Sequence, residues 1–419
     1  MNLAGSIFSL LIAIAVPAAA FAHEIEHGHE HVAGGWNAEA GFVSDEDVTS
    51  KLWNPRGKSM DEIRQRASWL AEQYDLTRTP EQQVRVDEIR ARYADAIAIN
   101  SLMPSAVGII DNTAEDFSKA LNRNRDAGLT LASGSAYGFP KAIPEGMTPY
   151  DVIEASDVVL SEQGVRKVDT VSDIRDAKEQ GKLAFMYNAQ GADYVVDDLE
   201  GHAERSYESG IRAMNFVYNA NNALAGGGSA QNMGLTELGR EWVKVAQANN
   251  LIIDVSHSSN QTAIEAAAIA TKPIIASHSN AAGLLDVGRN ISDEAIKAVA
   301  STGGVICPVG VGLFLNAEGD ASPEALVKHV VYIANLVGRE RVCFATDYVH
   351  NILAYYERDL LNVETYPPEL GFGAPTQNIA AENIWDVAAL LEDEHGWTEG
   401  EVRGFLGENL MRVYEANWK

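Results

Sequence analysis

The fold class this sequence predicts is α/β, a (β/α)8 barrel preceded by a helical extension, and three features predict it. Eight short apolar runs recur between Val107 and Asp347, helix-length segments separate them, and within each run the apolar residues follow one another without alternating. Strands apolar on both faces belong to parallel sheets covered by helices, and eight such units over roughly 250–300 residues close into a barrel.

The runs are "VGIID" (Val107–Asp111), "GLTLAS" (Gly128–Ser133), "KLAFMYNA" (Lys182–Ala189) and "RAMNFVYN" (Arg212–Asn219). "LIIDVSH" (Leu251–His257), "KPIIASH" (Lys272–His278), "GGVICPVG" (Gly303–Gly310) and "RVCFATD" (Arg341–Asp347) complete the set. The helices between them carry start and stop signals: Ser322-Pro323 opens one that Gly338 ends, and Ser292 followed by Asp293 and Glu294 opens another. No GxGxxG turn follows the first run, which argues against a doubly wound open sheet, and "GGG" at Gly226–Gly228 reads as a flexible loop.

Upstream, residues 45–103 are helical text, with Thr79-Pro80 as a capped start. Leu3–Ala20 is apolar and Ala20-Phe21-Ala22 fits an A-x-A cleavage site, so residues 1–22 are expected to be a signal peptide and the product periplasmic or secreted. Residues 23–44 hold His23, His27, His29 and His31 and are expected to be a disordered, His-rich tail; residues 104–419 form the barrel.

Composition narrows the function. The chain has 419 residues, 59 acidic and 32 basic, for a formal charge of -27, which repels nucleic acids and anionic membranes. The two cysteines, Cys307 and Cys343, lack metal-ligand spacing and read as buried small apolar residues with no disulfide. With no second long apolar run, no membrane span is expected after signal removal.

A barrel places its site at the carboxyl ends of the strands, where this sequence puts Asp111, Asn188, Gln190, Tyr218, Asn219, His257, His278 and Asp347. The two Ser-His-Ser steps end adjacent strands, so His257 and His278 can converge on one metal ion, with Asp347 as a further ligand or a general base. Tyr348, His350, Tyr355, Tyr356 and Tyr366 follow in a segment suited to an aromatic lid or to packing against the upstream helices.

The stretches "GLTELGREWVKVAQANNLIIDVSHSS", "KPIIASHSNA", "GRNISDEAIKAVASTGGVI", "VKHVVYIANLVGRERVCFATD" and "GFLGENLMRVYEANW" resemble the membrane (renal) dipeptidases of the amidohydrolase superfamily. The resemblance implies a zinc-dependent hydrolase of dipeptides, with His257 and His278 as metal ligands. It also implies that Arg289, with Asn290 beside it, binds the substrate carboxylate, and that Asp347 is the catalytic acid/base.

The sequence departs from that family at the metal site. Where a D-G-H-N-D type motif belongs, it reads "DNTAED": Thr113 stands at the histidine and Glu115 at the second acidic ligand. Gln190 replaces the bridging glutamate as a ligand, and Tyr218 replaces the substrate-side histidine as a donor to the reacting carbonyl. Two divalent ions about 3.5–4 Å apart need a shared carboxylate, so one Zn2+ per chain is expected in place of two. The expected activity is exported, zinc-dependent hydrolysis of dipeptides or related small amides, with a homodimer left open. The alternatives are non-hydrolytic work on a peptide-derived metabolite, of the siderophore-maturation type, and a binding protein without catalysis.

Overall fold

The computed structural model describes residues 47–50, 53–139, 142–364, 366–368 and 371–418. The expected signal peptide and the histidine tract lie outside them. Seven strands pair in parallel in the order β1 (Ile99–Met103), β2 (Leu131–Tyr137), β4 (Ala184–Ala189), β5 (Ile211–Asn215), β6 (Ile252–Asp254), β7 (Ile275–Ala276) and β8 (Val305–Ile306); β3 (Arg166–Lys167) is a side branch on β4. An eighth stave closes the ring. Val342 and Ala345 bridge in parallel to Ile306 and Val309, while the Ser101 amide donates to the Phe344 carbonyl at 3.0 Å and the Asp347 amide to Leu102 at 3.1 Å.

The continuous apolar runs are explained by burial on both strand faces. Phe185, Tyr187, Met214, Ile253 and Ile306 face the helical coat, whereas Leu131, Ala184, Met186, Ile252, Ile275 and Val305 fill the lumen. Leu410 and Tyr414, from the helix Asn409–Asn417, belong to the same inner cluster and with Trp418 plug it. Each large side chain so buried contributes about 1.5–3 kcal/mol.

One expected strand is misplaced. Val107–Asp111 is a turn with Gly108, Ile110 and Asp111 at φ 86°, 49° and 59°, and the first stave is β1, inside the segment read as helical extension. Its text, "INSLM", hides the strand because Asn100 and Ser101 are polar yet buried, their needs met by Thr346, Asn124 and the Ser277 carbonyl. Asp111 is exposed and lies 3.5 Å from Arg358.

The upstream helices Met60–Ala71 and Pro80–Arg92 each begin with a capping box, Ser59 with Glu62 and Thr79 with Gln82. The first packs Ile63, Ala67 and Leu70 against Tyr356 and Leu360 of the helix Ile352–Leu361. The buried Arg66 guanidinium donates to the Gly373 carbonyl at 2.9 Å and to those of Val48 and Ser50 at 2.7 Å, tying the extension to the rim of the barrel. Among the described residues, no helix is long and apolar enough to cross a membrane.

Cys307 and Cys343 are bonded to each other, which corrects their reading as unlinked apolar residues. Each follows one member of the Ile306–Val342 bridge, so neighbouring staves aim both inward with Cα atoms 4.3 Å apart; the 36-residue separation conceals this in the sequence. The denatured, unreduced protein should therefore show no reactive thiol, and two after reduction. A Cys307→Ala/Cys343→Ala double variant should lose about 2–4 kcal/mol in a denaturant melt, and two reactive thiols before reduction would contradict the bond.

Candidate active site

β6 and β7 are neighbours in the ring, with Asp254 opposite Ile275. Buried Asp254 stitches their ends together: its Oδ1 accepts from the amides of Ser256 at 2.9 Å and Ser277 at 3.0 Å. Ser256 Oγ accepts from the His278 amide at 3.0 Å, and the Val255 amide donates to Ile275 at 2.8 Å. The serines of the repeated Ser-His-Ser steps thus satisfy backbone and lumen groups where the strands stop, and the two imidazoles lie side by side. The ring centroids of His257 and His278 are 4.8 Å apart, and both side chains are buried.

A polar ladder in the lumen fixes the first ring. Asn188 Nδ2 donates to Ser133 Oγ at 2.8 Å, Ser135 Oγ to Asn188 Oδ1 at 2.9 Å, and Gln190 Nε2 to Ser135 Oγ at 2.7 Å. Gln190 Oε1 then faces His257 Nε2 at 3.0 Å, while Asn219 Oδ1 lies 2.7 Å from His257 Nδ1. Burial first, then Arg289 and His278, hold His257 well below its ordinary pKa; burial and Arg289 do the same to His278. A neutral His257 that donates from Nδ1 to Asn219 turns its Nε2 lone pair onto the carbonyl oxygen of Gln190. His278 Nδ1 lies 2.7 Å from Ser277 Oγ, and its Nε2 is buried without a partner. Two neighbouring imidazoles, one with an unpartnered Nε2, and the amide oxygen beside the other are donor types that suit a divalent cation. Among the described residues no group of three or more His, Cys, Asp or Glu is arranged to hold a metal, so the two imidazoles are supplemented by an amide oxygen and not by a third such ligand.

Arg289, 7% exposed, brings Nη2 to 3.4 Å from His257 Nε2 and 3.5 Å from the His278 carbonyl, with its guanidinium over the Phe314 ring. It makes no ion pair among the described residues, although Asp347 acts on it across the pocket. Asp347 ends the closing stave, and burial lifts its carboxyl to about 7 against the opposing pull of Arg289. The Tyr218 ring stacks on His257 at 4.2 Å, and its hydroxyl, 3.5 Å from that of Tyr366, is pushed by burial and then Asp347 to about 12. It is a phenol that donates.

His257, Asn219 and Asp347 sit at φ 65°, 59° and 50°. Left-handed backbone at a non-glycine residue costs about 1–3 kcal/mol and persists where surrounding contacts enforce it. At His257 and Asn219 the loop Gly226–Gly228 enforces it, and that loop is packed, not flexible as expected. The Gly228 amide donates to the His257 carbonyl at 2.7 Å, and a Cβ at Gly227 or Gly228 would fall 2.1 Å from Asn219 O or 2.4 Å from Gly288 O.

Two expected site residues are not brought there. Thr113 caps the helix Ala114–Asp126 in a box with Asp116, which leaves Glu115, the expected metal ligand, on the helix surface, 78% exposed and 2.8 Å from Lys119. Asn290, the expected substrate ligand, spends its amide on the carbonyls of Leu285 at 2.8 Å and Phe314 at 2.9 Å, so it shapes the loop behind Arg289. The aromatic segment does both of the things expected of it. Tyr348 and Tyr356 pack on Tyr74; Tyr355 and Tyr356 line the pocket with Tyr366 packed behind Tyr355, and His350 meets Tyr348 edge-on, away from the paired imidazoles.

A pocket residue that sequence reasoning passed over is Asp359. Its signal is there: it lies four residues after Tyr355 and three after Tyr356, an acid on the buried face of the helix Ile352–Leu361.

The model of the membrane dipeptidase family (peptidase family M19) matches residues 114–368. The chain belongs to that family. Dipeptidase-type hydrolysis is accordingly the chemistry of its class. A crystal structure of an amidohydrolase from Pseudomonas aeruginosa is similar at 25% identity over 80% of this chain and 99% of that one, with a TM-score of 0.68. The probable dipeptidase PvdM from the same organism is similar at 19% identity, 81% and 99% coverage and a TM-score of 0.59. A metallopeptidase from Rhodobacter sphaeroides, solved with a phosphinate mimic of the dipeptide L-Ala-D-Ala, shares the fold at 17% identity, 77% and 100% coverage and a TM-score of 0.59.

The raised carboxyl of Asp347 predicts a pH signature in this dipeptidase-family barrel. An acid whose folded pKa lies above its unfolded value near 3.8 costs no stability below that value, an increasing amount as pH rises toward 7, and a constant amount beyond. With a chelator present, Asp347→Asn should be more stable than wild type by about 2–4 kcal/mol above pH 7, the gap closing toward pH 4. Denaturant melts across that range check this, and a gap that widens on acidification would contradict it.

Proposed function

We propose that the protein is an exported, metal-dependent dipeptidase that cleaves dipeptides or related small amides at a site holding one zinc ion. The observation that carries this is a buried guanidinium with no ion pair among the described residues, set beside two adjacent imidazoles that burial keeps neutral. Arg289 would hold the carboxylate of the substrate in the fork geometry that only a guanidinium provides. His257, His278 and the Gln190 carbonyl oxygen would hold the ion, with Asn219 orienting His257. Such an ion supplies Lewis acidity at the scissile carbonyl. Tyr218 would donate to the oxygen on which charge develops, and Asp347, poised near neutral pH, would take a proton from water and return it to the leaving amine.

The buried disulfide supports export, since such bonds persist in oxidising compartments, and so does the apolar stretch Leu3–Ala20 with its A-x-A site. A second reading, non-hydrolytic proton transfer on a peptide-derived metabolite, draws support from the phenol at Tyr218 and from the absence of a carboxylate bridge. Products of unchanged mass would select it.

Purified protein incubated with a dipeptide panel should release amino acids, and a chelator should stop the release. Arg289→Met should raise KM by roughly 10–100-fold on dipeptides with a free carboxylate. Wild-type turnover of C-amidated dipeptides as fast as the free acids would rule out the assigned role of Arg289, and no release from any dipeptide would rule out the hydrolytic reading.

A further inference from the structure

We propose that Asp359 recognises the amino end of the substrate, so that the pocket clasps a zwitterion between Arg289 on one wall and Asp359 on another. The ligand class rests on the reading above; the residue and its role do not come from it. Asp359 lines the same pocket as Arg289 and Asp347, is 3% exposed, and its Oδ1 accepts no hydrogen bond among the described residues. Among the described residues no ion pair to it is seen. A buried acceptor left without a donor costs about 1–3 kcal/mol, so the chain carries this carboxyl at a loss until something enters the pocket.

Its surroundings say what that something is. Tyr355 and Tyr356 of the same helix line the pocket with it, and burial drives its carboxyl well above the carboxylate range, so that it ionises when a cation enters. A carboxyl and tyrosine rings lining one pocket suit an ammonium group, which gains from the carboxylate and from a ring face together. Arg289 and Asp359 line the same pocket, and no hydrogen bond or ion pair joins them among the described residues. A pocket with a guanidinium and a carboxyl held apart matches a ligand bearing an anionic and a cationic end, which is the chemistry of an unblocked dipeptide.

The test compares alanyl-alanine with N-acetyl-alanyl-alanine, by calorimetric titration in the presence of chelator and by turnover with zinc, for wild type and Asp359→Asn. Wild type should bind the free amine at least about 10-fold more tightly than the acetylated ligand. The variant should lose roughly 10–100-fold in affinity and KM for the free amine with kcat little changed, while its affinity for the acetylated ligand stays within about 2-fold. That unchanged affinity also shows the pocket is intact. Equal binding of the two ligands by wild type, the same discrimination in the variant, or no binding of either ligand would overturn the proposal. Binding with the expected discrimination but no turnover would sink the hydrolytic reading and leave Asp359 its role; turnover without discrimination would do the reverse.

Discussion

The parallel pairing of β6 with β7, locked at its carboxyl end by Asp254, is the constraint on which the rest of the site depends. One carboxylate oxygen gathers two amides from two strands, and a serine from the first strand end takes the amide of the histidine on the second. Burial raises the Asp254 carboxyl and those hydrogen bonds oppose the rise. The cost of placing such a group in the lumen is met by order at the point where order is needed. Two histidines separated by a helix in sequence become neighbours because the ring leaves their strands no other register.

Around that lock the site works by keeping charges apart. Both imidazoles are neutral, the nearest cation is the Arg289 guanidinium, and the carboxyls of Asp347 and Asp359 stand on other walls. In a medium of low dielectric, unpaired groups of this kind are expensive, and they cluster where a ligand will satisfy them. The left-handed backbone at His257, Asn219 and Asp347 belongs to the same pattern, since strain is tolerated where it aims a side chain. Gln190 is held in the same framework by Ser135 and faces His257.

Sequence periodicity made the barrel legible because burial on both strand faces writes continuous apolar runs, and it made the two histidines legible because both runs end in the same step. It failed where burial was polar. β1 buries the polar Asn100 on its helix side and Ser101 on its lumen side, and so did not look like a stave. Glu115 occupies the expected acidic position in the linear text, but Thr113 begins a helix there, and the second residue of a helix faces outward. Asn290 is adjacent to Arg289 yet points to backbone carbonyls, which spacing alone does not reveal. The disulfide and Asp359 depend on which residues face each other across staves or across a pocket, and that information lies in three dimensions.

The central claim is that two imidazoles from adjacent staves share a single cation. Titration of the chelator-stripped protein with zinc, read by elemental analysis after dialysis, tests it directly: the account predicts one equivalent per chain, absent in His278→Ala. Two equivalents, none, or one that survives the loss of His278 would contradict it.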